Sequence, residues 1–541
     1  MTLFDHLRVV GPLAVAKPSP ARAGLLRPLL LLGLAMAALT ELREEAYAET
    51  RPPMLKAAVQ HFSRDTLVRE AKELAAKPYV PPADGKRAPG EQIASTYDEY
   101  RMARFRPEAA IQLDPLGRYR LHLLPAAWIH KEEIEVLLVD NGQATPVTGD
   151  PSMFDWGPLK KVAAFSERVP LSGIRIRGPL NSEEVSDDII VFQGASYFRA
   201  LSRGQAYGIS ARGLALATGS AAGEEFPRFT KFWIERPAPN VDELMIHALL
   251  DSKSLTGAYT FKVRPGAPTA IDVEAAIFPR VEITEIGLAP LTSMYLLSAS
   301  DRTRVSDFRP AVHDSDGLAI HNGSGEYLWR PLANPRGIQT SFFIDDNPKG
   351  FGLEQRERSF AAYQDLEALY HDRPSVWIEP QGNWGKGSVI LVELPTETEA
   401  NDNIVAFWRP EQPLAAGRAH QFSYRLTWPD TFRRIGPKAR VVRTMAGLSI
   451  GADREQGTVQ FVLEFSGADG IGEDLPLPSL EASEGRVSEA QVHLNPESGT
   501  LRVAFKYYPE ASETAELRLA LSGVDGGAET WLYRWTKGMH Q

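Results

Sequence analysis

The chain has 541 residues, 43% of them hydrophobic and 24% charged, which is ordinary for a globular protein but too long for one ordinary domain. A formal net charge of −10 argues against nucleic acid as the main partner. The absence of cysteine removes disulfides, thiolate catalysis and zinc–thiolate sites together.

In chain order, Arg8, Lys17, Arg22 and Arg27 precede LLLLGLAMAALT at 29–40, an apolar stretch short for a bilayer span. Ala46-Tyr47-Ala48 then supplies an A-x-A cleavage signature. These parts predict a signal peptide over 1–48, cut after Ala48, with ELREE at 41–45 as an irregular charged insert. The general secretory route leads to the periplasm, with no membrane span once the signal is removed. An uncleaved anchor is the competing reading. Next, SRDTLVREAKELAAKPY at 63–79 predicts an amphipathic helix, with Ser63 as cap and Pro78 as stop. Beyond it RYRLHLLPAAWI, GIRIRGPL, DDIIVFQG, GAYTFKVRPG and TAIDVEAAIF read as strands, and SFAAYQDLEALY at 359–370 as a second helix. WPDTFRRIGPK marks a boundary. It divides a region at 54–428 from one at 438–541, with a linker at 429–437. After it, Val459, Phe461, Leu463 and Phe465 alternate cleanly, as do Leu501, Val503, Phe505 and Tyr507, which predicts a small antiparallel sandwich.

No G-x-S-x-G, P-loop, H-E-x-x-H or dinucleotide fingerprint is present, and no residue pattern requires a metal or organic cofactor. HDSDG at 313–317 reads as a type I turn or a calcium-loop fragment lacking its other ligands. GNWGKG at 382–387 reads as a hairpin turn rather than a phosphate cradle. Several segments are dense in aromatics, glycines and carboxylates, a mixture that suits a sugar: rings stack on C–H faces and polar groups meet hydroxyls. Tyr197, Phe198, Trp233, Trp329 and Trp384 are candidates for stacking, and Arg199, Arg212, Arg330 and Arg356 for binding hydroxyls or carboxylates. Core packing and structural ion pairs compete with each assignment. Asp402, just before the apolar run Ile404–Trp408, reads on its own as a charge guarding a strand against aggregation.

GASYFRALSRGQAYGISARGLA, GEEFPRFTKFWIERP, HDSDGL, NPKGFGL, RPSVWIEP, NWGKGSVILVELPT and NDNIVAFW resemble the periplasmic glucan biosynthesis proteins G and D, from about residue 64 to the C-terminus. The resemblance implies an all-β fold with few short helices: a large N-terminal β-sandwich of galactose-mutarotase-like type and a C-terminal immunoglobulin-like β-sandwich. It implies a β-1,2-glucan partner and allows a homodimer. Some members are inverting endo-β-1,2-glucanases, and related ones transfer the glycosyl group. The general acid of the NDNIVA motif falls on Asp402, and the general base of the HDS motif, acting through a water and a hydroxyl, on Asp314. Inversion needs one protonated and one ionised carboxyl. Partial burial and neighbours such as Glu399 are expected to raise the Asp402 pKa, and a wetter turn to keep Asp314 ionised. An inverting hydrolase, a transglycosylase and a non-catalytic glucan holder remain open.

Overall fold

The computed structural model describes residues 59–540, apart from 83–93, 95, 160–167, 240, 303–304, 430–435 and 468–473. The signal-peptide reading and most of the expected linker lie outside the described residues. The fold is nearly all β, built on two large sheets that face each other across one core. The first has fifteen strands, and its centre is a meander of long antiparallel strands, Arg228–Glu235, Leu244–Asp251, Leu255–Arg264 and Thr269–Pro279. The second has eleven, with Ile404–Pro410, Ile286–Ser293, Ser210–Arg212, Tyr197–Ala200, Ser186–Gln193, Leu171–Pro179 and Arg120–Pro125 as consecutive neighbours along it. Alternation explains the packing: Ile174, Ile176, Phe192, Phe198, Ala211 and Ala406 point into the shared core, and their neighbours point away.

The helix Arg64–Ala75 forms where its periodicity predicts. Ser63 and Thr66 cap it reciprocally. Leu67 and Ala71 bury against Trp233, Ala258 and Ala276 on the outer face of the first sheet. The second expected helix shrinks to Phe360–Tyr363 and a 3₁₀ turn at Tyr370–Asp372. Gln364 and Leu369 adopt left-handed φ values of 55° and 48°, and the Asp365 side chain accepts the Glu367 and Ala368 backbone N–H groups. An Asx-type turn thus outcompetes the helix. GNWGKG is likewise not a hairpin, because Val376–Gln381 belongs to the first sheet and Lys386–Glu393 to the second.

The C-terminal strands form a five-stranded sheet, on Val441–Leu448, Val459–Phe465 and Thr500–Tyr508, against Thr530–Thr536, Thr514–Ser522 and Leu477–Ala482. The latter three continue the first large sheet: Leu328 and Trp329 pair in parallel with Thr530 and Trp531. One apolar cluster therefore joins Trp329 and Trp377 to Phe461, Phe505 and Trp531. Around it Arg356 grips Glu529 (2.7 and 2.8 Å) and Glu354 (2.6 Å), and Arg440 bridges the same two glutamates. Trp531 is fully buried there. Replacing it with alanine should cost about 3–5 kcal/mol, read as a lowered urea midpoint that also affects fluorescence from the N-terminal region.

Candidate functional site

A three-residue segment brings two distant carboxylates together. Ser293 pairs with Ile404, and Tyr295 pairs with His313. The intervening Met294 carbonyl accepts the Asp314 N–H (2.8 Å). The Tyr295 N–H donates to Asn403 Oδ1 (2.8 Å), while Asn403 Nδ2 donates to the Leu394 carbonyl (2.9 Å). Asp402 and Asp314 thus hang from residues bonded to opposite sides of Ser293–Tyr295.

Asp402 meets the outward face of the second sheet. With Phe198 and Ala211 in the core, Tyr197, Arg199, Ser210 and Arg212 point the other way. Arg199 Nη2 lies 3.6 Å from Asp402 Oδ2, and its Nε donates to Ser210 Oγ (2.6 Å). Arg212 donates to Thr292 Oγ1 (2.8 Å) and Glu224 Oε1 (2.7 Å), with its guanidinium 4.6 Å from the centre of the Tyr197 ring. Its third nitrogen, Nη2, is buried with no hydrogen-bond partner among the described residues.

Asp314 is bound by Arg373. That arginine is fixed by the Ala368 carbonyl (3.0 Å) and by the Tyr370 ring, whose centre is 4.2 Å away. Tyr370 donates to Glu399 (2.8 Å), which pairs with Arg309 (2.7 Å). Burial pushes the Asp402 carboxyl above the usual carboxylate range; Arg199, Arg212 and Arg373 pull against this and Asp314 adds to it. Burial also lowers the Arg199 pKa, against the attraction of Asp402 and Asp314.

Two expectations about the environment are reversed. Asp314 is not the wetter carboxylate: the residue is 3% exposed, and the Arg373 guanidinium meets its carboxylate. The Asp402 side chain keeps 22% of its surface. Glu399 is engaged by Arg309 and Tyr370, and the carboxylate acting on Asp402 is Asp314.

Of the other candidates, Tyr197, Arg199 and Arg212 share the Asp402 face. Phe198 is in the core. Trp233 lies under the N-terminal helix, stacked on Phe62 (5.2 Å). Trp329 and Arg356 stack on each other at the C-terminal junction, with the guanidinium 3.4 Å from the ring centre. Arg330 is buried against Glu393 (3.3 Å). Trp384 packs on the main core and donates to the Ser423 carbonyl (3.2 Å). Sequence reasoning missed Arg373, Asn403 and Glu224. All three sit inside the quoted segments RPSVWIEP, NDNIVAFW and GEEFPRF, but their partners are far along the chain.

A family model described as "Periplasmic glucan biosynthesis protein, MdoG" matches residues 62–535. A Vibrio cholerae protein named "Glucans biosynthesis protein G" is 47% identical over 478 residues, covering 88% of this chain and 87% of its own. A Shewanella baltica protein of the same name is 48% identical over 480 residues with the same coverage. A solved polysaccharide lyase overlaps 67% of this chain and 44% of its own at 9% identity and a TM-score of 0.16, too low to bear on the fold.

The electrostatics of Asp402 carry a stability signature. A carboxyl with a raised folded-state pKa adds stability that is complete below the ordinary carboxylate range and is lost as pH rises through the raised value. Asp402→Asn removes that loss. The variant should melt higher than the parent near neutral pH and converge with it as the pH falls into the ordinary range, which calorimetry across pH would reveal.

Proposed function

Because the chain belongs to the MdoG family of periplasmic glucan biosynthesis proteins, we propose that it works on the β-1,2-linked glucan backbone as an anomer-inverting endo-glucanase. In this reading the protonated Asp402 gives its proton to the glycosidic oxygen as the C1–O bond breaks. A water attacks C1 from the opposite face, and its proton passes through a substrate hydroxyl to Asp314.

The observation that carries the reading is the unlike setting of two neighbouring carboxyls. Asp402 is held toward its protonated form by burial, whereas Asp314 is ion-paired with Arg373. Arg199 stands beside Asp402 and also feels Asp314. The deep burial of Asp314 favours a relay over direct contact with bulk water. The same burial is the one feature that favours a second reading, a glucan holder that does not cleave.

The test is incubation of the purified protein with linear β-1,2-glucan while chain length and reducing ends are followed. Shortened chains with new reducing ends indicate hydrolysis, and rearranged chains without them indicate transfer. Intact chains with measurable binding sink the catalytic proposal. Asp402→Asn and Asp314→Asn should each lower kcat by about 10²–10⁴-fold. The alkaline limb of the pH–rate profile should lie above the ordinary carboxylate range and move higher in Arg199→Met, because Arg199 pulls the Asp402 pKa down.

A further inference from the structure

Two adjacent glutamates in the stretch after Leu214–Leu216 are put to different uses. The chain turns back there through Ala217, Gly219 and Gly223, whose φ values are 54°, 75° and 96°. A bridge from Leu216 to Glu225 closes the turn. Gly219 lies close on the second sheet, where an added Cβ would stand 3.0 Å from the Val392 side chain. Glu225 anchors the far end by accepting from the Ser254 N–H (2.9 Å) and hydroxyl (2.6 Å). Its neighbour Glu224 turns instead to Arg212 (2.7 Å) and to the Thr218 hydroxyl (2.5 Å).

The pair that results is nearly dry. The Arg212 side chain is 1% exposed and that of Glu224 10%. The guanidinium lies between the rings of Tyr197 and Phe226, 4.6 and 5.8 Å from their centres, and its Nε donates to Thr292. An ion pair taken this far out of water is a poor source of stability, so its place beside the carboxylates asks for another reason. Two carboxylates act on Arg212, Glu224 and Asp402, together with Tyr197. Asp402 for its part is drawn toward its charged form by Arg199, Arg212 and Arg373, while burial and Asp314 oppose this. Arg199 approaches Asp402 directly, at 3.6 Å. Arg212 stands in the same field but is turned to Thr292 and Glu224.

We propose that Glu224 is a positioning residue for proton delivery: by occupying Arg212 it keeps that guanidinium from settling on Asp402, which would otherwise become the counter-charge of two arginines and hold no proton to give. A buried cation needs an anion. With Glu224 in place the need is met away from Asp402. Without it, Asp402 is the other carboxylate that acts on Arg212. Glu224 touches neither the acid nor the base and works through Arg212 alone. The catalytic meaning of the inference rests on the glucanase reading above; the coupling of Glu224, Arg212 and Asp402 is a property of the protein by itself.

The experiment compares pH–rate profiles on linear β-1,2-glucan for the parent, Glu224→Gln, Arg212→Met and the double variant. Glu224→Gln keeps the shape and removes the charge. Its alkaline limb should lie about one pH unit below that of the parent, and Glu224→Asp, which keeps the charge, should recover part of the difference. Added to Arg212→Met, the Glu224→Gln change should move the limb no further. A loss of kcat at every pH with the limb unmoved marks a structural role and overturns the proposal. A shift of equal size in the Arg212→Met background overturns the route through Arg212. If Glu224→Gln fails to fold, Thr218→Val, which removes a hydrogen bond from Glu224, should move the limb the same way by less, and an unmoved limb counts against the proposal. A parent that leaves the glucan intact overturns the glucanase reading, and melting curves then test the coupling without substrate. The rise in Tm that Asp402→Asn gives near neutral pH should shrink when Glu224→Gln is already present. An unchanged rise overturns the coupling itself.

Discussion

Everything at the candidate site depends on how Ser293–Tyr295 is hydrogen-bonded. One side of the segment is tied to Ile404 and Asn403, the other to His313 and Asp314. These are main-chain bonds and one amide bridge, buried and fully directed, so they leave little play between the two elements they join. The carboxylates inherit that rigidity. Strand Ile404–Pro410 is flanked on both sides within its sheet, and Ile404 to Trp408 are essentially inaccessible to solvent. Asp402 therefore stands on a mount that cannot fray, unlike one on an edge strand.

Charge placement follows from the same geometry. Carboxylates and guanidinium groups taken out of water must be paired or hydrogen-bonded. Here Asp402 faces Arg199, Asp314 faces Arg373, and Glu224 faces Arg212. Arg373 is itself braced by Tyr370, Glu399 and Arg309, so the support of Asp314 extends to a network on the 307–309 and 365–373 segments. The helix expected at 359–370 would have destroyed that brace. Its replacement by a turn with two left-handed residues is what lets Tyr370 and Arg373 reach inward.

Period-two alternation was enough to read the strands, and cap chemistry was enough to read the first helix, because both are local. As candidates, Asp402 and Asp314 were named only through the resemblance carried by the segments around them; as isolated residues each had an ordinary alternative. Trp329 and Arg356 show why composition cannot sort binding groups from packing groups. An aromatic beside an arginine looks the same whether it awaits a sugar or seals a junction with Glu529. Arg373, Asn403 and Glu224 were invisible as site residues because their meaning lies in partners supplied by other strands. The opposite environments of the two aspartates were beyond reach for the same reason: Asp314 lies between two strands with its N–H on the Met294 carbonyl and its carboxylate on Arg373, partners distant in the sequence.

The parallel pairing of Leu328 and Trp329 with Thr530 and Trp531 has an evolutionary corollary. A module that attaches through a covalent tether alone can be traded between proteins as a block. This one shares a hydrogen-bonded seam and an apolar filling with its host, and Arg356, which locks the seam, also offers its backbone N–H, with that of Glu357, to Asp316 two residues from Asp314. A C-terminal segment grafted from a distant relative would have to bring matching partners for Trp329, Trp377 and Arg356. Recombination between Trp428 and Val441 is thereby discouraged, because the strands on either side share the seam.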